Sequence, residues 1–281
     1  MSDCIKNGRK EFTGSKIKLL VSDIDGTLVP ADKQLTRETI EAAIALEKAG
    51  IKLCLVSSRP PQGIKSYFEA LNITTPYAAL NGGEIISFEE EILSNMAMDS
   101  EDAKSICQLL NQNQINVWIF GGFDWSVFTL DDPFVAREMS LVGETPRVIE
   151  NLDQYATRIT KIEGVSKDTA LLDRVAEKIN RFYPQRVRAL RSSPTYLDLT
   201  HPKANKGFAA KELGRLLQID ISETACIGDM DNDIPMLEIA GLSIAMRQSS
   251  KHVCQHAHVQ TKSNEENGWA YAVYNYVIPR A

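Results

Sequence analysis

The sequence predicts an α/β protein: a parallel-sheet core with helices, interrupted by an inserted α+β module. Short apolar runs alternate with amphipathic segments of helix length at the start of the chain, which is typical of parallel strands joined by helical crossovers. After Asn81 the pattern changes to closely paired strands and hairpin turns, and at Asn205 the alternation returns. We therefore expect a discontinuous core domain formed by 16–84 and 192–281, and a cap domain at 85–191.

The first alternating segment contains three predicted strands and one clear helix. The strands are expected in "IKLLVS", "IKLCLVSSRPP" and "YAALNGG". The helix is expected in "LTRETIEAAIALEKAG", with Thr36 as its N-cap and Gly50 just past its end.

The inserted module is predicted from its turns. A hairpin should turn near Glu89–Glu90, and two further strands should be separated by Gly121–Gly122. Helices are expected in "EDAKSICQLLNQNQ" and "KDTALLDRVAEKINRFY", a strand in "YATRITKIEGVS", and a strand pair in "RVRALRSSPTYLDLT". Beyond it we expect a helix in "NKGFAAKELGRLLQ", strands in "ETACIGD" and "LSIAM", and a helix in "IPMLEIAG".

Composition and charge narrow the classes of function. The chain has 281 residues, of which 43% are hydrophobic and 24% charged, enough to bury one large core or two moderate ones. The formal net charge of −6 at pH 7 argues against nucleic acid as a bulk electrostatic partner.

The sequence carries no pattern of a secreted or membrane protein. Residues 1–15 are polar and are expected to form a flexible leader, not a signal peptide. The sequence contains no run of about 18 apolar residues, so no membrane span is predicted. The five cysteines are odd in number and irregularly spaced, which favours reduced thiols. We expect a cytoplasmic protein without a membrane partner, either a monomer or a homodimer.

Two aspartates follow the first predicted strand, in "LLVSDIDGTLVP". Side chains of an extended chain alternate between faces, so Asp23 and Asp25 should point the same way. Neighbouring carboxylates repel each other and favour a bound cation. Taken alone, the pair is also compatible with a capped strand end or a solvated turn.

Polar residues stand at the ends of other predicted elements, where ligands of an open parallel sheet bind. Ser57 ends the second strand, and Lys206 begins the helix after the insert. A lysine is unfavourable at a helix N-terminus, so Lys206 indicates an anion nearby. The late strand leads into "GDMDND", which contains Asp229, Asp231, Asn232 and Asp233.

These four stretches together resemble the haloacid dehalogenase superfamily of phosphotransferases. Its motifs are D-x-D-G-T, a Ser or Thr closing the next strand, a Lys before Gly, and G-D-x-x-N-D. The matches here are Asp23 to Thr27, Ser57 in "SSRP", Lys206–Gly207 and Gly228 to Asp233. "SSRP" departs from the usual T-G-R-P, because Ser58 replaces the glycine. The insert is similar to the large α/β cap of the Cof-type subfamily of sugar and metabolite phosphatases, which implies a Rossmann-like core.

The resemblance implies a Mg²⁺-dependent phosphatase that hydrolyses small phosphorylated metabolites, with sugar phosphates the expected class, through an aspartyl-phosphate. Asp23 would be the nucleophile and Asp25 the acid and base. The metal ligands would be Asp23, Asp229 and, through its backbone carbonyl, Asp25, whose side chain stays free.

The resemblance also implies how the phosphate is bound. Ser57, Lys206 and Asn232 would bind it, and Asp233 would stand behind them, orienting Lys206 and the metal's waters. Asp231 falls at the variable position of the motif and is expected at the surface.

Two alternatives to a phosphatase remain open. Phosphomannomutase-type phosphomutases share the first motif and the cap class, but they isomerise a substrate instead of releasing phosphate. A non-catalytic sugar-phosphate sensor would normally have lost Asp23 or Asp25. For the cap, we expect residues such as Trp125 or Arg188 to influence which substrate is accepted.

Overall fold

The computed structural model describes residues 16–142, 144–155 and 158–281, so the leader predicted at 1–15 lies outside the described residues. The chain forms two compact units. Unit 1 consists of the described residues up to Arg59 together with Ile64–Leu93 and Asn205–Ala281. Unit 2 consists of Pro60–Gly63 and Ser94–Ala204.

The helices and strands follow each other along the chain in three groups. The first group is β1 (Leu19–Ser22), α1 (Arg37–Lys48), β2 (Lys52–Leu55), α2 (Pro61–Lys65), α3 (Phe68–Leu71), β3 (Tyr77–Ala79), β4 (Glu84–Ile86) and β5 (Ile92–Asn95). The second is α4 (Ser100–Gln112), β6 (Asn116–Gly121), β7 (Asp124–Val127), α5 (Pro133–Val142), β8 (Arg147–Val148), β9 (Lys161–Val165), α6 (Thr169–Phe182), β10 (Arg188–Arg191) and β11 (Tyr196–Thr200). The third is α7 (Lys206–Leu217), β12 (Thr224–Gly228), α8 (Ile234–Ile239), β13 (Leu242–Ala245), α9 (Lys251–Cys254), β14 (Val259–Gln260) and α10 (Gly268–Ala272).

Unit 1 is built on a parallel sheet with the strand order β14-β13-β12-β1-β2. Apolar side chains of β1 and β12 pack against α7 and α8, including Leu19, Val21, Leu213 and Met236. The predicted boundaries of α1 are confirmed: the Thr36 side chain accepts a hydrogen bond from the first turn, and Gly50 follows at φ 75°. The predicted parallel α/β core is therefore present, and it places the ends of β1 and β12 side by side.

Unit 2 contains a mostly antiparallel sheet with the order β10-β11-β9-β6-β7-β8. Helices α4 and α6 cover one face through an apolar cluster that includes Ile106, Ile119, Ile162, Leu172 and Leu197. Strand pairing places a different set of side chains on the opposite face: Trp118, Phe120, Lys161, Glu163 and Asp198. The inserted module is thus α+β, as predicted. Helix α5 and strand β8 were not predicted.

The third predicted strand pairs differently from expectation. A parallel bridge between Val56 and Ala78 links β3 to the end of β2, but β3 pairs antiparallel with β4 and belongs to a separate sheet, β3-β4-β5. The extents of the two units follow the strand pairing. Pairing with β3 keeps β4 in unit 1, whereas β11 belongs to unit 2 because it lies between β10 and β9.

Two sequence expectations concern thiols and membrane spans. Cys54, Cys107, Cys226 and Cys254 are free and buried, while Cys4 lies outside the described residues. Among the residues that the structure describes, no helix is both long and apolar enough to cross a membrane.

Candidate active site

Neighbouring parallel strands bring two aspartates together. Ser22 of β1 is in register with Ile227 of β12, and the backbone N–H of Asp23 donates to the Ile227 carbonyl at 3.1 Å. Asp23 and Asp229 each stand one residue beyond the end of their strand. Trp269 Nε1 donates to Ser22 Oγ at 2.9 Å, and Ser22 Oγ donates to the Asp23 carbonyl at 2.7 Å. These bonds fix the backbone from which the Asp23 side chain projects.

Lys206, the first residue of α7, is buried between two carboxylates. Its Nζ lies 2.6 Å from Asp23 Oδ1 and 2.6 Å from Asp233 Oδ1. The Asn205 side chain caps the same helix by accepting from the Phe208 N–H at 2.9 Å. The anion predicted near this lysine is therefore supplied by the protein itself.

Three carboxylates converge here. One oxygen from each of Asp23, Asp229 and Asp233 lies within 4.8 Å of the others. Thr27 Oγ1 donates to Asp229 Oδ1 at 3.1 Å. The other Asp233 oxygen, Oδ2, accepts from the backbone N–H groups of Asp229 at 2.8 Å and Met230 at 2.9 Å. Asp233 thus links Lys206 to the backbone of the "GDMDND" turn.

Two motif glycines lie so close to carboxylates of the cluster that no side chain fits at their positions. Gly26 has φ 80°, and a Cβ there would lie 2.5 Å from Asp229 Oδ2. A Cβ on Gly228 would lie 2.4 Å from the carboxyl carbon of Asp233. Any side chain at either position would displace a carboxylate of the cluster.

The carboxylates carry more negative charge than Lys206 balances. Burial raises the pKa of Asp23 well above its ordinary value, and Asp233 and Asp229 add to the rise. Burial, with repulsion from Asp233, raises the pKa of Asp229 to about 6. For Lys206, burial favours the neutral amine, but Asp23 and Asp233 outweigh it and raise the pKa. The lysine is therefore charged, and the remaining negative charge fits a hard divalent cation with oxygen ligands, as Mg²⁺ requires.

The side chain of Asp25 contacts two cationic side chains, Arg59 and Lys33. Its Oδ2 accepts from Arg59 Nε at 2.7 Å, and its Oδ1 accepts from Arg59 Nη2 at 2.7 Å and from Lys33 Nζ. Burial acts to raise the pKa of Asp25, but Arg59 and Lys33 outweigh it and lower the pKa to about 2. The carboxylate is therefore ionised in this arrangement.

Ser57 and Asn232 are connected through the strained turn after β3. The Asn81 N–H donates to the Ser57 carbonyl at 2.8 Å, and Asn232 Nδ2 donates to Asn81 Oδ1 at 3.4 Å. Leu80 and Asn81 both have positive φ, at 51° and 61°, a conformation that L-residues rarely adopt. Such strain is often found at functional sites.

Four of the residues predicted for the site lie together. Lys206 contacts Asp23 and Asp233 directly, and Asp229 joins those two aspartates in the carboxylate cluster. Asp231 is exposed, as predicted. Sequence reasoning assigned no role to Arg59, Lys33, Thr27 or Asn81. Thr27 and Arg59 lie within the matched motifs and Asn81 lies within "YAALNGG", so their positions in the sequence could have identified them. No sequence pattern marks Lys33 as a residue of the site.

Known proteins resemble this chain over most of its length. The family model for the haloacid dehalogenase-like hydrolases matches residues 20–273. The Bacillus subtilis protein "Putative phosphatase YxeH" is 28% identical over 94% of this chain and 99% of its own length. Another B. subtilis relative, 5-amino-6-(5-phospho-D-ribitylamino)uracil phosphatase YwtE, is 24% identical over 92% of this chain and 97% of its own.

Solved structures share the fold. A haloacid dehalogenase-like hydrolase from Bacteroides thetaiotaomicron superposes with a TM-score of 0.84 at 27% identity, covering 92% of this chain and 99% of the other. Strand order, the lysine-linked carboxylates and the extent of the family match lead to the same assignment. The chain belongs to the haloacid dehalogenase-like hydrolases.

Proposed function

We propose that the protein is a Mg²⁺-dependent phosphatase that hydrolyses small phosphorylated metabolites through an aspartyl-phosphate on Asp23. The observation that carries this proposal is the buried contact between Lys206 Nζ and Asp23 Oδ1 inside a cluster of three carboxylates. A buried nucleophilic carboxylate beside a lysine and a cation site is suited to an anionic phosphate ester.

Mg²⁺ would be held by Asp23 and Asp229, with the backbone carbonyl of Asp25 as a further ligand. The raised pKa values of Asp23 and Asp229 support this assignment. They show that Lys206 alone does not offset the burial and mutual repulsion of these carboxylates, which a bound cation would do. When bound, Mg²⁺ neutralises carboxylate and phosphate charge so that an anionic nucleophile can approach a dianionic ester.

The protein's own residues account for the chemistry in two steps. In the first, an oxygen of Asp23 bonds to phosphorus while the bond between phosphorus and the oxygen of the leaving alcohol breaks, and Asp25 gives a proton to the oxygen of that alcohol. In the second, water attacks phosphorus, Asp25 takes its proton, and phosphate leaves Asp23. Lys206, Ser57 and Asn232 would bind the transferring phosphoryl oxygens. The acid step requires a proton on the side of Asp25 Oδ1 that now faces Lys33, so the Lys33 contact must loosen while Arg59 keeps its two bonds to the carboxyl group.

Sugar phosphates and related polyol phosphates are the substrate class we propose. The relative YwtE is named for a substrate with a phosphorylated ribityl chain. The face of the unit 2 sheet opposite α4 and α6 combines the buried aromatic rings of Trp118 and Phe120 with a buried Lys161. Lys161 binds Glu163 at 2.6 Å and Asp198 at 3.1 Å. Aromatic surfaces beside charged hydrogen-bonding groups suit polyhydroxylated ligands.

A panel of phosphorylated metabolites tests the proposal. Purified protein with Mg²⁺ should release inorganic phosphate from a subset of sugar and polyol phosphates, and Asp23→Asn should release none. Release from no ester would refute the phosphatase assignment. Isomerised sugar phosphate in place of free phosphate, dependent on a bisphosphate activator, would favour the phosphomutase.

A further inference from the structure

Arg59 makes the most specific side-chain contact near the cluster that the proposed mechanism leaves unused. Its guanidinium binds both oxygens of Asp25 through two bonds of 2.7 Å each, from Nε and Nη2. This parallel, two-bond geometry fixes the plane of a carboxylate as well as its position. A lysine supplies a point charge without that directional control.

The guanidinium is itself held in place. Arg59 Nη1 donates to Tyr67 Oη at 3.1 Å, and the guanidinium carbon lies 5.4 Å from the centre of the Tyr67 ring. Tyr67 Oη in turn donates to the backbone carbonyl of Lys33 at 3.2 Å, and Lys33 Nζ binds Asp25. Arg59, Tyr67 and Lys33 therefore form a support around one carboxylate.

The backbone of Arg59 also belongs to the proposed phosphate-binding loop. Its N–H donates to Ser57 Oγ at 3.2 Å, which leaves the Ser57 hydroxyl hydrogen to donate elsewhere. Its carbonyl accepts from the Leu80 N–H at 3.0 Å, at the strained turn. One residue thus connects the loop that presents Ser57 to the side chain of Asp25.

We propose that Arg59 is a positioning residue for the reaction, holding the Asp25 carboxylate in the orientation from which it serves the leaving group. This inference rests on the proposed phosphatase function. Stability alone does not account for the pair. The side chains of Arg59 and Asp25 are 22% and 34% exposed, and partly exposed ion pairs add little to folding free energy.

Leaving-group dependence distinguishes positioning from a general structural role. An alkyl phosphate needs a proton on its leaving oxygen, whereas p-nitrophenyl phosphate expels a stabilised phenolate without one. Single-turnover release of the leaving group, with enzyme in excess, reports the first chemical step for both esters. Arg59→Lys should slow release from the alkyl ester about 10- to 100-fold, part of the usual acid–base contribution. Release of nitrophenolate should change less than about 3-fold, because that step needs no acid.

Three further variants sharpen the test. Asp25→Asn should show the same selective loss, and adding Arg59→Lys to it should cost nothing further, since both changes act on one group. Tyr67→Phe removes only the supporting hydroxyl and should show a weaker form of the same pattern, which keeps the test usable if Arg59→Lys folds poorly. Arg37→Lys is the matched control: Arg37 binds Glu41 at 2.7 Å on the exposed face of α1, and its replacement should leave both esters unaffected.

Equal losses for the two esters would overturn the proposal, because they would place Arg59 in folding or in the binding of phosphate. A rise in KM without a change in the single-turnover rate would also overturn it and would identify Arg59 as a substrate-binding group. Failure of the proposed function itself is recognised separately, since wild-type protein would then release neither leaving group.

Discussion

Lys206 Nζ lies 2.6 Å from Asp23 Oδ1, although 183 positions separate the two residues in the chain. The same nitrogen binds Asp233 at 2.6 Å, and all three side chains are buried. A buried cation shared by two carboxylates both stabilises the cluster and brings positive charge to the proposed nucleophile.

Replacing this cation should affect both stability and activity. Lys206→Met leaves Asp23 and Asp233 buried without their counter-charge, and the free energy of unfolding should fall by about 3–5 kcal/mol. Turnover should fall at least about 100-fold, because charge stabilisation dominates phosphoryl transfer. Denaturant unfolding and steady-state kinetics measure the two effects.

Lys211→Met is the matched control for that variant, since Lys211 lies exposed on the same helix, α7. It should be neutral in both measurements. A Lys206→Met enzyme with wild-type turnover would contradict the role given to this lysine.

Removal of divalent cations should abolish enzyme activity. Excess chelator should abolish phosphate release, and added Mg²⁺ should restore it. Ca²⁺ should substitute poorly, because its looser and higher coordination permits Asp23 to bind through both oxygens and hinders in-line attack. Phosphate release, measured across a titration of each metal, tests this, and full activity in excess chelator would contradict the metal assignment.

Unit 2 should select substrates without contributing to the phosphate chemistry. Substitution of Trp125, whose ring stacks 6.3 Å from that of Phe120, or of Arg188 on β10 should alter KM and the ranking of substrates. Hydrolysis of a small generic ester, which needs no cap contacts, is the internal control and should change little. If every ester were hydrolysed equally more slowly, this division of labour between the units would be wrong.

The buried Glu163 should make unit 2 sensitive to pH. Burial raises its pKa from 4.5 to about 7, although Lys161 counteracts the rise. Between these values the folded protein holds a proton that the unfolded chain has lost. Stability should therefore fall as pH rises through this window, by on the order of 1 kcal/mol per pH unit from this group.

Glu163→Gln cannot titrate, so its stability should depend less on pH over the same range. Chemical denaturation at several pH values, compared with wild type and with the exposed Glu177→Gln control, measures the difference. Parallel curves for wild type and Glu163→Gln would contradict the assigned titration.

The parts of the site that the sequence predicted are those fixed by strand register. Asp23 and Asp229 follow adjacent strands, so the backbone alone brings them together once the sheet is parallel. Lys206 was predicted because a lysine at a helix start needs an anion. The close approach at Gly26 and Gly228 explains why these residues stand in the motifs.

The parts that the sequence could not predict depend on side-chain direction and on long-range pairing. Arg59 stands in "SSRP", but only its conformation shows that it binds Asp25 rather than solvent. The apolar run of β3 resembles any buried strand, and its antiparallel partner β4 follows a turn whose strained Leu80 and Asn81 give no local signal. The unit boundary after β11 depends on pairing with β9, whose paired residues lie 31 to 39 positions earlier in the chain.

The covalent role of Asp23 is the central claim, and a trapping experiment tests it most directly. Asp25→Asn enzyme is mixed with Mg²⁺ and p-nitrophenyl phosphate, whose leaving group needs no acid and which wild-type enzyme must first be shown to hydrolyse. The reaction is quenched in acid and digested, and the mass of the peptide containing residue 23 is measured by mass spectrometry. Because water attack lacks its base, the account predicts one added phosphoryl group on Asp23, and none when Asp23→Asn is also present. Recovery of that peptide unmodified, a phosphoryl group on another residue, or turnover by Asp23→Asn near the wild-type rate would contradict the account.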